Sequence, residues 1–275
     1  MLMVDFIIDK GREVMVKVIF FDIDGTLLSL KSHQVPESSR RALEALRKKG
    51  IKLFLATGRS PAWLDTIEGM LDFKFDGYVM LNGQYCIYEG KVLRDVPIPV
   101  ESLESLLPYI EENKIACEFV EEGHMYINLL NERVLNFREK IGGTGYDTQV
   151  EDLSRIHSHN TYQLLAYVDE EDEKEFLDHM PNCKMLRWCP EFADVVIADG
   201  GKDKGIEIVL DYMKVSKDEC MAFGDGGNDI AMLKYVGRGI AMGNANPPVK
   251  EIADFVTRDI DDDGVEYALK YFGVL

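Results

Sequence analysis

Two aspartates, Asp22 and Asp24, stand two positions apart directly after the apolar run Val18-Ile19-Phe20-Phe21, and Gly25 and Thr26 follow at once. Carboxylates at i and i+2 of an extended segment lie on one side of it. Such a pair can bind a hard cation while one of its members does covalent chemistry. Three later stretches repeat the arrangement of an apolar run ending in polar groups. Thr57-Gly58-Arg59-Ser60 follows residues 51–56 and offers a hydroxyl and free backbone N–H groups, a natural contact for phosphate at a strand-to-helix turn. Lys202 lies just beyond residues 192–198 and adds a cation. Gly224-Asp225-Gly226-Gly227-Asn228-Asp229 follows residues 219–223 and brings two carboxylates, an amide and glycines that let the backbone approach a ligand.

The elements that must position these groups can be read from the same runs. Each is four to seven residues long and rich in β-branched and aromatic residues, too short for a helix and suited to a buried parallel strand. Residues 36–49 form a helix between the first two strands, with Leu43 and Leu46 inward and Gly50 as its stop, and Pro61 starts another. The alternation predicts an α/β fold with an open, mostly parallel sheet. Groups at the carboxyl ends of its strands then face the crevice where ligands bind. Lys202 and Lys204 compete for one role at the start of a helix whose buried stripe is Ile206, Val209 and Met213. Lys202 is four residues before Ile206 and so begins the inward stripe, whereas Lys204 points elsewhere. A third strand near residues 78–81 ends at Asn82-Gly83, the strongest short signal for a type I′ hairpin. Asn82 is also a candidate to face the crevice. Short strands near residues 239–242 and 253–256 close the sheet.

Between residues 84 and 192 the rhythm changes. Leu103, Leu106, Leu107 and Ile110 mark one helix face, and strand-like runs flank the Glu122-Gly123 turn. A helix near residues 134–140, a strand at 161–168, an acidic exposed helix at 169–180 and a strand at 184–188 complete a small inserted α/β domain. The expected division is an extension at residues 1–15, a core of 16–83 and 193–275, and a cap of 84–192. His157 and His159 suggest no metal site, because no third ligand is evident. Arg187-Trp188 sets a cation beside a large aromatic just before the chain returns to the core, and this pair is a candidate to bind a substrate's leaving group.

Composition narrows the function classes. The chain has 275 residues, long enough for two domains, and 46% hydrophobic residues, enough for real cores. A net charge of −18 argues against nucleic acid and anionic membranes as partners. An anionic substrate would be repelled at long range, so a phosphate site needs a cation and local lysine or arginine. The five cysteines, without zinc-type spacing, read as reduced thiols in a cytoplasm. No run reaches membrane-spanning length, and the start of the chain lacks the pattern of a signal peptide. Oligomeric state cannot be read from these features.

The motifs Asp22-Ile23-Asp24-Gly25-Thr26, the Thr57 turn, Lys202 and Gly224 to Asp229, in this order, resemble those of the haloacid dehalogenase (HAD) superfamily. The position of the insertion, with Ala241-Met242-Gly243-Asn244-Ala245 and Ala253-Asp254-Phe255-Val256-Thr257, is similar to the Cof-like phosphatases with a type IIB cap. This resemblance implies a Rossmann-like core and a phosphatase acting on small phosphorylated metabolites, with sugar phosphates suggested by that branch. It implies Asp22 as nucleophile and Asp24 as general acid and base. Thr57, Gly58, Lys202 and Asn228 would hold the phosphoryl oxygens, with Arg59 a weaker candidate for the same anion. Mg²⁺ would be held by Asp22, the Asp24 carbonyl and Asp225, and Asp229 would orient its waters. Two other functions compete with this one. A phosphomutase would keep phosphate on the sugar, and a non-catalytic sensor would have no need of both nucleophile and acid.

Overall fold

A computed structural model of the chain describes residues 15–140, 148–187 and 189–275. The expected extension falls outside them except for Met15, and so does the expectation for Trp188.

The first segment runs β1 (Val18–Phe21), α1 (Glu37–Lys48), β2 (Lys52–Ala56), α2 (Leu64–Leu71), β3 (Gly77–Met80), β4 (Tyr85–Tyr88) and β5 (Lys91–Asp95). There follow α3 (Val100–Glu112), β6 (Cys117–Glu121), β7 (Met125–Ile127), α4 (Glu132–Lys140), β8 (Gln149–Val150), β9 (Thr161–Ala166), α5 (Glu173–Asp178), β10 (Cys183–Leu186) and β11 (Ala193–Ile197). The last segment is α6 (Lys202–Met213), β12 (Cys220–Gly224), α7 (Ile230–Tyr235), β13 (Arg238–Ala241), α8 (Pro247–Ile252), β14 (Phe255–Val256) and α9 (Gly264–Tyr271).

Two sheets result. The larger has eight strands in the order β14-β13-β12-β1-β2-β3-β4-β5, parallel through β3 and antiparallel at β4 and β5. Its central strands are apolar on both faces because helices cover both. Val18 and Phe20 of β1 pack with Ile206, Val209 and Leu210 of α6 and Met232 and Leu233 of α7. Ile19 and Phe21 pack on the other side with Leu43 and Leu46 of α1, Ile67 and Leu71 of α2, and Val265 and Leu269 of α9. The smaller sheet, β10-β11-β9-β6-β7-β8, is antiparallel apart from the β7–β8 pair. Helices α3 and α5 bury Leu103, Leu106, Ile110 and Phe176 on one of its faces. On the other, Val134 and Phe137 of α4 join Tyr167 and Phe192, and Leu81 and Tyr85 from the edge of the large sheet complete the cluster.

Sheet membership corrects the expected boundaries at both ends. Strands β4 and β5 lie in the large sheet, so the insertion starts after Asp95 rather than at residue 84. The hairpin simply returns along the edge of the sheet it left. Strand β11 belongs to the small sheet, so the return to the core falls after Ile197 rather than at residue 193. All five residues of β11 are buried, which gives it the continuous apolar reading of a core strand. The β3–β4 hairpin exists, but four residues close it, with Leu81, Asn82 and Gly83 at φ 51°, 49° and 88°. It is not the two-residue turn expected.

Candidate active site

Register brings the polar strand ends level. Phe21 pairs with Phe223 on one side and Leu55 on the other. The chains therefore leave the sheet together at Asp22, Asp225 and Thr57. Gly25 turns the first loop with φ +88°, and an added Cβ there would meet Asp225 Oδ2 at 2.2 Å. No residue with a side chain fits that turn. The Thr26 hydroxyl donates to Asp225 Oδ1 at 2.8 Å. Asn244, within the run of residues 241–245, clamps the same loop: its side-chain NH2 donates to the Gly25 carbonyl at 2.8 Å and its oxygen accepts from the Ile260 N–H at 3.0 Å.

Lys202 is fully buried. Its ammonium donates to Asp22 Oδ1 and Asp229 Oδ1, each at 2.6 Å. Lys204 pairs at the surface with Glu207, so the inward stripe of α6 selected between the two lysines. Burial works against the Lys202 charge, but the Asp22 and Asp229 carboxylates outweigh it and hold its pKa above the ordinary lysine range. Burial raises the Asp22 carboxyl; Lys202 opposes the rise, while Asp229 and Asp24 add to it. Burial likewise raises Asp225, with Asp22 and Asp229 adding to the effect. One lysine does not offset this many carboxylates.

That imbalance is what a cation site requires. Asp22, Asp225 and Asp229 bring carboxylate oxygens within 4.8 Å of one another. They are not equivalent. Asp229 Oδ2 already accepts from the backbone N–H of Asp225 and of Gly226, each at 2.9 Å, and its Oδ1 from Lys202. Asp22 and Asp225 keep oxygens without such partners, and these two suit direct metal contact. Oxygen ligands of this kind fit Mg²⁺.

The remaining candidates divide. Thr57 is buried, and its hydroxyl accepts from the Arg59 N–H at 3.1 Å while its own proton is left to donate. Arg59 grips Asp24 with two hydrogen bonds of 3.0 and 2.7 Å. Asn228 reaches Asn82, donating to Asn82 Oδ1 at 3.1 Å, and the Asn82 side chain is itself fully buried. Arg187 is engaged within the inserted domain. Its guanidinium donates to Glu173 at 2.6 Å, and to the carbonyls of Val168, Cys189 and Pro190 at 2.9 to 3.3 Å. It ties the end of β10 to the rest of the small sheet, with four of its five N–H groups engaged. His157 lies 3.5 Å from Glu104, and the His159 ring pairs with the Ser158 hydroxyl at 2.9 Å.

One contact was invisible in sequence. The Ser60 hydroxyl and the Ala62 N–H sit on the β6–β7 turn, Ser60 donating toward the Glu122 carbonyl at 2.6 Å and Ala62 to the same oxygen at 3.0 Å. The Tyr85 hydroxyl donates to the Glu122 carboxylate at 3.0 Å. The inserted sheet thus rests beside the turn that carries Thr57 and Arg59.

The description "haloacid dehalogenase-like hydrolase" fits residues 19–269 as one family match. The chain belongs to the HAD superfamily. A Bacillus subtilis (strain 168) relative named "Putative phosphatase YkrA" is 35% identical over 259 residues, covering 94% of this chain and 98% of the relative. The structure of BT1666 from Bacteroides thetaiotaomicron, studied among phosphatases of the HAD superfamily, is 37% identical with a TM-score of 0.89, over 96% of this chain and 97% of that one. BT4131, described as a HAD subclass IIB sugar phosphatase, is also 37% identical, with a TM-score of 0.85 over 94% of this chain and all of the other. This HAD member is a phosphatase with the subclass IIB fold. Among its described residues no helix is long and apolar enough to cross a membrane.

Proposed function

We propose that this HAD phosphatase hydrolyses small phosphorylated metabolites, sugar phosphates foremost, with Mg²⁺ and through an aspartyl-phosphate on Asp22. The observation that carries the reading is the Asp22 carboxylate itself. It is pinned by a fully buried lysine on one side and faces the Asp225 carboxylate on the other. Attack by Asp22 on phosphorus breaks the ester P–O bond, and the departing alcohol takes its proton from Asp24. Asp24 then accepts a proton from the water that attacks phosphorus, releasing inorganic phosphate and restoring Asp22. Lys202, the Thr57 hydroxyl, the Gly58 N–H and the Asn228 amide bind the phosphoryl oxygens as charge spreads over them. Mg²⁺, held by Asp22, Asp225 and the Asp24 carbonyl, would neutralise charge on those oxygens. Asp229 orients the site from behind, through Lys202 and the backbone of Asp225 and Gly226. Arg59 holds the Asp24 carboxylate at the rim and remains a candidate contact for the incoming anion.

The inserted sheet would choose the leaving group and exclude bulk water during proton transfer. The sugar-phosphatase description of BT4131, at 37% identity over nearly the whole chain, supports a sugar phosphate. Phosphate release from a panel of phosphorylated metabolites, with Mg²⁺ and with chelator, tests the reading. Release should need the metal, and Asp22→Asn should leave less than a few per cent of it while the protein stays folded. Phosphate moved within a sugar without release would make the chain a mutase. Wild-type turnover in Asp22→Asn would end the proposed mechanism.

A further inference from the structure

Residues 81–84, between β3 and β4, are wholly buried, although loops ordinarily lie at the surface. Leu81, Asn82 and Gly83 are consecutive left-handed residues, a conformation unfavourable for the first two. Gly83 cannot carry a side chain, since a Cβ would meet the Gly201 carbonyl oxygen at 2.1 Å. Something must fix the loop in this shape, and its hydrogen bonds show what it connects.

Every element that carries a phosphate-binding group is attached to it. The Asn82 N–H donates to the Thr57 carbonyl at 3.0 Å, and the Asn82 carbonyl accepts from the Gly201 N–H, one residue before Lys202, at 2.8 Å. The Asn82 side-chain oxygen accepts from the Asn228 amide at 3.1 Å. The other end of the same amide points into the small sheet. Asn82 Nδ2 donates to Asp194 of β11 at 2.8 Å and to Gln163 of β9 at 3.0 Å. Gln84 binds the chain where it leaves the large sheet and where β11 ends: its amide donates to the Val96 carbonyl at 3.0 Å, and its oxygen accepts from the Ile197 N–H at 2.9 Å. It also donates to the Tyr162 carbonyl of β9.

We infer that Asn82 is a positioning residue through which the inserted domain sets the phosphate-binding amide of Asn228. The inference rests on the proposed role of Asn228. Both hydrogens of the Asn82 amide are committed to the small sheet and its oxygen to Asn228, so its orientation is uniquely determined. A shift of β9 or β11 pulls directly on that amide. Ordinary turn residues would satisfy the backbone without reaching either sheet.

A donor–acceptor exchange tests this. Asn82→Asp sets a carboxylate against Asp194 and should weaken competitive inhibition by inorganic phosphate by about 10- to 100-fold, the factor expected for losing a buried hydrogen bond and leaving its partner unpaired. Combining it with Asp194→Asn restores one donor and one acceptor at the same places, and should recover most of the phosphate affinity and kcat/KM. Asn82→Gly keeps the left-handed backbone and deletes the amide, giving a folded reference that should lose phosphate affinity as well. If Asn82→Gly is folded by circular dichroism and binds phosphate as the wild type does, the inference is wrong. The same conclusion follows if the exchanged pair is folded and phosphate affinity does not recover. Failure of Asp22→Asn to stop turnover would instead strike the mechanism, and leave these phosphate affinities as they are.

Discussion

The two sheets each bury a carboxylate with a cation, and the two sites are opposites. In the small sheet, Glu118 is fully buried and accepts from the Thr148 hydroxyl at 3.0 Å, the Tyr167 hydroxyl at 3.3 Å and Arg138 at 3.4 Å. Burial raises its pKa, and Thr148, Arg138 and Tyr167 all pull the other way. In the large sheet, Asp22, Asp225 and Asp229 crowd around Lys202; burial raises the Asp22 and Asp225 carboxyls, and the Asp229 charge adds to both rises. The first site matches one carboxylate with one cation, although Glu118 Oε2 and Arg138 Nε are buried without a hydrogen-bond partner among the described residues. The second is short of positive charge and open toward a crevice, which is the condition for recruiting a cation and an anionic substrate together. Burial of a charge therefore says little about function until the neighbours have been counted.

Substitutions can press on that contrast from both sides. Lys202→Ala removes the one cation of the crowded site, and phosphatase activity should fall by more than about 10²-fold, as for other donors lost from a developing charge. Lys204→Ala, on the same helix but paired at the surface, should stay within about twofold in the same assay. An equal loss for both would mean that the inward stripe of α6 has no bearing on chemistry. Arg138→Leu should show the reverse profile. It leaves Glu118 with less compensation, at a cost of about 3 kcal/mol in denaturant unfolding. Turnover of p-nitrophenyl phosphate by the folded fraction should hardly change. A large loss of kcat there would join the two sites functionally and dissolve the contrast.

Metal and pH separate them further. The raised Asp22 and Asp225 carboxyls favour the folded state below their unfolded value of 3.8, and that contribution is lost as pH rises through their folded values. Metal-free protein should therefore lose thermal stability from about pH 5 toward pH 8. Added Mg²⁺ should raise Tm most at the upper end, where fewer protons compete for the two carboxylates. A Mg²⁺ effect of the same size at every pH would place the ion elsewhere. The smallest effect concerns Arg187. Because its donors hold carbonyls at the end of β10, Arg187→Ala should cost about 1–2 kcal/mol of stability. It should lower kcat/KM for a sugar phosphate and for p-nitrophenyl phosphate alike, by less than about threefold. A selective loss for the sugar phosphate would return it to the leaving-group site.

Strand ends were legible because parallel strands buried on both faces are continuous apolar runs, and polar groups after such a run have a single place to go. Asp22, Thr57 and Asp225 needed only that rule and the register that makes their strands neighbours. Lys202 was legible through the period of its helix. Boundaries were not, because β4 reads as the start of something new although it pairs with the old sheet, and β11 looks like a core strand although its partners are β9 and β10. The setting of Arg187 was not legible for a related reason. A cation beside an aromatic looks free in one dimension, and the carbonyls that claim it come from residues 168, 189 and 190, brought together only by folding.

By itself, then, the sequence determined an α/β core, an inserted α/β domain, and polar groups at three strand ends and one helix start that resemble those of the HAD superfamily. These depend on local periodicity and on residue chemistry, both written along the chain. Tertiary structure alone decided which sheet each ambiguous strand joined, and that Arg59 would grip Asp24. It also decided that an Asn-Gly dipeptide with the local signature of a turn would bond to Asn228 on one side and Asp194 on the other. Asn228 lies 146 positions away and Asp194 lies 112. Hydrogen bonds over such separations follow from how two sheets dock, and no local pattern in the chain encodes that docking.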